Sequence, residues 1–495
     1  MGSRPTLVEL IGVAVGWVAL SLFTDSLVAS SFAVLWLVWK LLIVPGMPPV
    51  LPFALSFQWF QACGGMIYCV FFDRDLPTLH VPEYRTMVVL SLASVALIAI
   101  GIWIGSRLLG VRHYPAGATS VISRQQLFTA YVVLTVSEGS INQFAWQYPM
   151  LTQAIIAVAL IRLGVLYLML RHFSSPTLRM APLGLLLAFE IALGFTGFFA
   201  SFREPLAIAA LVLYQVFDWR RGEHMAAVAS LMLVAVLSGT VWMGVRGQFR
   251  AEQIENTVFA QSRSARFSRM ADLVSAWFSR GGGEAWYDMD FFVDRMWTVY
   301  YPSLALARVP NSTPHTDGRF VTGAVKHVTM PRLLFPDKPE LPSDSEKVRE
   351  FSGVWVAGRD EGTSIAFGYV IESYVDYGVP RMFIPIAIYG VFMGMAFALF
   401  TRWIRTAEFG VPLLTVVFWL GLYLFEESWA KKLGDNLTMF LYLGGLVFLL
   451  ERLMRSGRLG EAAAPSPEAR VHADLYPATI GPPAAHLSPR KHRSA

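Results

Sequence analysis

Residues 85–106 read RTMVVLSLASVALIAIGIWIGS, and Arg85 is the one charge among them. A helix needs about 20 mostly apolar residues to cross the hydrocarbon core of a bilayer, where no water satisfies an open backbone. Comparable runs lie at 6–23, 26–44, 50–72, 125–142, 148–170, 178–199, 204–217, 225–245, 382–402, 411–428 and 437–454. Together they predict about twelve spans. The run at 204–217 is short, and that at 125–142 is interrupted by Ser137, Glu138 and Gly139.

Composition points the same way. Of 495 residues 55% are hydrophobic and only 15% charged, with a mean hydropathy of +0.50. Soluble domains carry about 25% charged residues, so a purely soluble multidomain enzyme is not expected, and a disordered chain and a coiled coil are excluded. Two cysteines, Cys63 and Cys69, rule out a disulfide scaffold and fit no zinc spacing. They read as packing residues inside a span. The net charge of +5 needs no nucleic acid to explain it, because cytoplasmic loops of membrane proteins collect Lys and Arg.

Alternate loops hold Arg107, Arg112 and Arg124, then Arg171 and Arg179, then Arg220 and Arg221, then Arg402 and Arg405, and finally Arg452, Arg455 and Arg458. Placing these loops in the cytoplasm satisfies the positive-inside rule and puts both termini there. The chain is thus expected to be all-α. A transmembrane bundle of about nine spans covers 1–245, a large, mainly helical external loop 246–381, and about three further spans 382–454. A tail at 455–495, rich in Ala, Pro, Ser and His, is expected to be disordered. Arg162 and Glu190 fall inside adjacent spans at comparable depth, where a lone charge costs about 2.5–3.5 kcal/mol, so they are expected to pair.

Long connections are functional more often than idle, and the external loop holds the densest chemistry. Arg263, Arg266 and Arg269 recur at helical spacing ahead of Leu273, Val274, Trp277 and Phe278. That pattern suits either a membrane interface or a helix lying on the protein itself. Beyond the glycines at 281–283 come Trp286, Tyr287, Asp288, Asp290, Phe291, Phe292, Asp294, Arg295, Trp297, Tyr300 and Tyr301. Such rings and charges suit either a sugar or anchoring at the bilayer surface. The three aspartates read as solvated carboxylates rather than a cation site, so no metal is expected. Residues 331–339 read PRLLFPDKP, in which three prolines restrict the loop carrying Arg332, Asp337 and Lys338. GTSI follows at 362–365, then GYVIESYVDYG at 368–378, where Glu372 and Asp376 share one helical face.

The succession P-R-x-x-x-P-D-K-P, G-T-S-I and E-x-Y-x-D-Y-G ahead of a span resembles the O-antigen (Wzy-type) polysaccharide polymerases. The motifs cover 331–378, and the topology covers most of the chain. Many members carry an Arg followed eleven positions later by Gly in two periplasmic loops. Here Arg203 and Arg332 are followed at that distance by Tyr214 and Ser343.

The resemblance implies a GT-C-like glycosyltransferase of the bacterial inner membrane with its active site on the periplasmic side. It would join oligosaccharide repeat units carried on polyprenyl pyrophosphate, with lipid-linked donor and acceptor as its substrates. A chain-length regulator and a flippase are the implied protein partners, and no cofactor is implied. Glu372, with Asp376 and His327 as rivals, is then expected to take the acceptor's proton. Arg332 is expected to stabilise the leaving pyrophosphate. Arg203, Arg246, Lys338, Asp337, Arg295 and Tyr369 would contact the substrate, although Arg246 and Arg250 also suit juxtamembrane anchors. A lipid-linked glycan ligase would use the same donor chemistry. A transporter would show internal repeats and broken helices at the midplane.

Overall fold

The computed structural model describes residues 2, 5–114, 122–148, 150–174, 178–197, 201–255, 262–280, 282–330, 334–335, 337–338, 340, 342–358 and 363–463. Among these the chain is helical throughout, without a strand. Six helices are long and apolar enough to cross a membrane: Val50–Phe72, Tyr84–Leu109, Thr152–Ser174, Gly222–Gln253, Phe383–Trp403 and Trp429–Ser456. Leu7–Phe23, Ser26–Leu42, Met180–Phe195 and Ala407–Leu422 are apolar but shorter. The two weakest runs are also helical, as Arg124–Gln147 and Arg203–Val216.

Tyr84–Leu109 packs along Phe383–Trp403, with no room for a side chain at four glycines between them. A Cβ on Gly105 would strike the Val391 carbonyl oxygen, and one on Gly394 would strike that of Ile102. Gly101 and Gly390 meet in the same way, so each helix contributes a pair of glycines four residues apart. Small residues at this spacing let apolar helices associate through close backbone contact where lipid offers no hydrophobic drive. Ser106 adds a hydrogen bond, its Oγ donating to the Gly394 carbonyl at 3.1 Å.

The expected pair is present. Arg162 Nη1 donates to Glu190 Oε1 at 2.7 Å, Tyr131 Oη donates to the same oxygen at 2.5 Å, and Glu138 lies 3.5 Å from Arg162 Nε. One buried carboxylate therefore ties together three helices. Glu190→Gln keeps the shape but removes the charge, and it should lower stability by about 1–2 kcal/mol. Thermal unfolding of the detergent-solubilised protein checks this, with an unchanged midpoint as the contrary result.

Two boundaries differ from the sequence expectation. The run at 411–428 leaves the helix at Leu422, and the chain re-enters a helix at Trp429, well before 437. Tyr423, Leu424 and Phe425 extend the apolar run without extending the helix, because Gln58 and Gln61 capture the backbone there. Gln58 Nε2 donates to the Leu422 carbonyl, and Gln61 Oε1 accepts from the Phe425 N–H at 2.9 Å. The second difference is at the tail, where helix continues to Ala463 in spite of Gly457 and Gly460, through a stretch that also holds the helix formers Arg455, Arg458, Leu459 and Glu461. Residues 464–495 lie outside the described residues. The chain divides into Met1–Phe448 and Leu449–Ala495. The helices of the expected external loop belong to the first unit together with the bundle.

Candidate functional site

The helices that follow Gly222–Glu255 are fixed to the bundle by specific wedges. Trp297 is buried against Gly65, where a Cβ would meet its indole ring, and its Nε1 donates to the Ala62 carbonyl at 3.0 Å. Asp290 pairs with Arg74 and accepts from Tyr68 Oη at 2.8 Å. Asp288 accepts from Trp277 Nε1 at 2.6 Å. The carboxylates at 288 and 290 thus serve separate partners. The basic helix Arg263–Ser279 lies on the protein, with Met270, Leu273 and Trp277 buried in one cluster with Trp242 and Phe249. Arg269 binds Glu252 through Nη2 at 2.6 Å. These contacts aim the helix Gly282–Met296 so that Arg295 faces the bundle.

There a cavity of about 560 Å³ opens between the helix Gly282–Met296 and the bundle, within the ~300–1,000 Å³ typical of ligand sites. Among the described residues, those that line it with charge are Arg203, Arg246, Arg250, Arg295 and Glu426. Four guanidiniums thus face one carboxylate. Arg246 and Arg250 lie one turn apart on Gly222–Glu255, a 34-residue helix roughly 51 Å long that outruns a hydrocarbon core of about 30 Å. Like charges at this spacing cost an isolated helix about 0.2–0.5 kcal/mol, a cost that an anion between them reverses. Aromatic faces support three of the forks: Arg203 over Tyr423 at 5.9 Å, Arg246 over Phe291 at 5.4 Å and Arg250 over Trp242 at 5.8 Å.

The rest of the lining is ordered by depth. On Val50–Phe72 the sequence runs Phe53, Phe57, Gln61, and on Gly222–Glu255 it runs Leu231, Ala235, Gly239, Trp242, Arg246, Arg250. Arg203–Val216 reverses the order, starting with Arg203 and continuing through Leu206, Ala207 and Ala210. The cavity therefore has a cationic end and an apolar end. Thr363, Ser364 and Ile365 close one side, held by Lys431 Nζ donating to Ser364 Oγ at 3.0 Å and by the Ile365 N–H donating to Ser345 Oγ at 2.9 Å.

Glu426 sits on the strap 423–428 between two helices, and Arg295 chelates it, with Nη1–Oε2 at 2.9 Å and Nη2–Oε1 at 3.4 Å. The conspicuous motif at 368–378 braces this strap. Gly368 has φ +91, and a Cβ there would press on the Phe425 carbonyl oxygen and the Glu426 Cα. Glu372 Oε2 accepts from the Trp429 N–H at 2.7 Å, and Ser373 Oγ accepts from Trp429 Nε1 at 2.8 Å.

The sequence-derived residues thus separate into two groups. Arg203, Arg246 and Arg295 meet in the cavity, joined by Arg250 and Glu426. Glu372 does not line it: the carboxylate is 2% exposed and paired with Lys347 Nζ at 2.7 Å. Burial pushes its carboxyl up, opposed by the Lys347 ammonium and the Trp429 N–H. Asp376 is fully buried, accepting from Thr316 Oγ1 at 2.5 Å and from the N–H groups of Phe320 and Val321 at 3.1 and 2.8 Å. It caps the helix Arg319–Thr329 and presents no face to a substrate. In place of the expected proton acceptors, both are structural carboxylates with their lone pairs committed to protein donors. Tyr369 is buried too, its Oη donating to Gln58 Oε1 at 2.8 Å. It does not line the cavity. His327 and Lys338 meet each other, Lys338 Nζ donating to the His327 carbonyl, and Asp337 is exposed nearby. None of these three lines the cavity. Arg332 lies outside the described residues.

Asp344 completes the brace, with Lys347 Nζ at 3.1 Å and Lys431 Nζ at 2.8 Å. Burial pushes its carboxyl up, but the two ammonium groups outweigh burial and hold it below the ordinary carboxylate range. A depressed carboxylate contributes stability above its unfolded pKa of about 3.9 and loses it as pH falls through its lower folded value. Asp344→Asn should therefore lower the melting temperature at pH 7, with the gap to wild type closing below about pH 4. Parallel melts at pH 7 and pH 3.5 check this, and a gap that is the same at both contradicts it. No family model, no curated protein and no solved structure matches this chain.

Proposed function

We propose that this protein is a glycosyltransferase of the bacterial inner membrane that polymerises lipid-linked oligosaccharide repeat units on the periplasmic side. The observation that carries the reading is the pairing, in one cavity, of four arginines at one end with an aromatic and aliphatic lining at the other. A polyprenyl pyrophosphate has the same two parts. Its leaving group gathers negative charge as the glycosidic bond breaks, and planar guanidinium forks neutralise that charge with directed hydrogen bonds. Phe53, Phe57, Leu231 and Trp419 offer the adjoining isoprene units a surface as apolar as the bilayer they leave.

In this reading the chain threads the membrane about twelve times in a GT-C-like arrangement, and the Arg-rich alternate loops lie in the cytoplasm. The donor glycan projects from the cationic end toward the external helices, where the acceptor unit meets it. The energy comes from the bond between the anomeric carbon and the pyrophosphate, which leaves intact on its lipid, so neither nucleotide nor ion gradient is required.

Proteoliposomes carrying only this protein and one purified lipid-linked repeat unit test the proposal. The expected result is a ladder of longer lipid-linked glycans with release of polyprenyl pyrophosphate and no added energy source. Movement of the unit across the bilayer without elongation would instead identify a transporter. Transfer that occurs only when a different lipid acceptor is supplied would identify a ligase.

A further inference from the structure

Glycosyl transfer in this cavity needs a group to take the acceptor's proton, and the following inference rests on the proposed function. Among the described lining residues, Glu426 is the one carboxylate. Its side chain is 27% exposed, whereas those of Glu372 and Asp344 are 2% and 6% exposed and spent on lysines. Its position is built: Gln61 binds the Phe425 N–H, Gly368 backs the Glu426 Cα, and Glu372 with Ser373 clamps Trp429. The strap has left the helix at this point, so Glu426 projects into the cavity next to the guanidiniums.

We propose that Glu426 is the base that receives the acceptor hydroxyl proton, and that Arg295 holds it paired until an anionic donor draws that arginine away. A carboxylate chelated on both oxygens is a weak base. A pyrophosphate offers the same fork more negative charge, and with Arg203, Arg246 and Arg250 it competes for Arg295. Donor binding then frees Glu426, which makes deprotonation of the acceptor conditional on a bound donor. The acceptor oxygen bonds to the anomeric carbon as the bond from that carbon to the pyrophosphate oxygen breaks. The electron pair of the broken bond stays on the pyrophosphate, and the acceptor's proton passes to Glu426 and then to water. No oxidant, reductant or metal enters the balance.

The test uses the full chain in proteoliposomes, with elongation of a lipid-linked repeat unit and binding of unglycosylated polyprenyl pyrophosphate measured side by side. Glu426→Gln should lower elongation at least roughly 100-fold, the lower end of what a positioned base contributes. It should bind polyprenyl pyrophosphate as tightly as wild type or more tightly, since Arg295 is released. Glu426→Ala should regain at least about tenfold of its lost rate in added formate, a response that a purely structural role does not give. Elongation by Glu426→Gln within threefold of wild type overturns the proposal. So does parallel loss of binding and rate in both variants without formate rescue. A wild-type protein that neither binds polyprenyl pyrophosphate nor elongates overturns the proposed function itself, a result that the variants cannot mimic.

Discussion

If the protein has the proposed function, Arg246→Ala should lower chain elongation by roughly 10- to 150-fold, the loss expected when one hydrogen-bonded charge worth about 1.5–3 kcal/mol is removed from a developing anion. Arg246 stands at the cationic end of the cavity, with Arg250 one turn further along the same helix. Arg246→Lys should recover only part of the rate, because an ammonium supplies charge without the planar fork. The protein should stay folded, since among the described residues no carboxylate is paired with this side chain and left stranded. Initial rates in proteoliposomes, with expression and melting temperature as controls, decide the matter. A rate within twofold of wild type would remove Arg246 from the site and leave it a juxtamembrane anchor.

Glu372→Ala should act by a different route, costing up to about 3–5 kcal/mol of stability because it takes one of two carboxylates from a buried ammonium. Lys347 is 9% exposed at its side chain and would be left with Asp344 alone at 3.1 Å. Trp429 would lose the acceptor for its N–H, and the strap carrying Glu426 would lose its brace. Replacing both partners, Glu372→Met with Lys347→Met, should recover part of that stability, because a paired charge and its desolvation cost leave together. Thermal unfolding in detergent measures both variants. If Glu372→Ala melts with wild type but elongates nothing, Glu372 belongs to the chemistry, and the bracing role assigned to it fails.

The helices were legible because about twenty apolar residues in a row have few alternatives. The Arg162–Glu190 pair was legible because charges inside such runs must find each other. The helix-free strap was hidden, since Tyr423, Leu424 and Phe425 prolong an apolar run whose backbone is satisfied by Gln58 and Gln61 from a distant helix. Glu426 was hidden with it. Its signal was an acidic pair, Glu426 and Glu427, at the end of a span-like run. Glu427 binds the fully buried Lys432 Nζ at 3.1 Å, which leaves its neighbour to the cavity. The spacing of Glu372 and Asp376 correctly put them on one helix but could not say that this face turns inward. Arg250 was within reach of sequence reasoning, because its four-residue offset from Arg246 gives the pair one face.

Equilibrium binding of polyprenyl pyrophosphate, measured against the neutral polyprenol of the same length, tests the cavity most directly. The pyrophosphate should bind at least tenfold more tightly than the alcohol, with that advantage shrinking in high salt and largely lost in Arg246→Ala. Equal affinity for the two lipids, or a pyrophosphate preference untouched by Arg246→Ala, would contradict this.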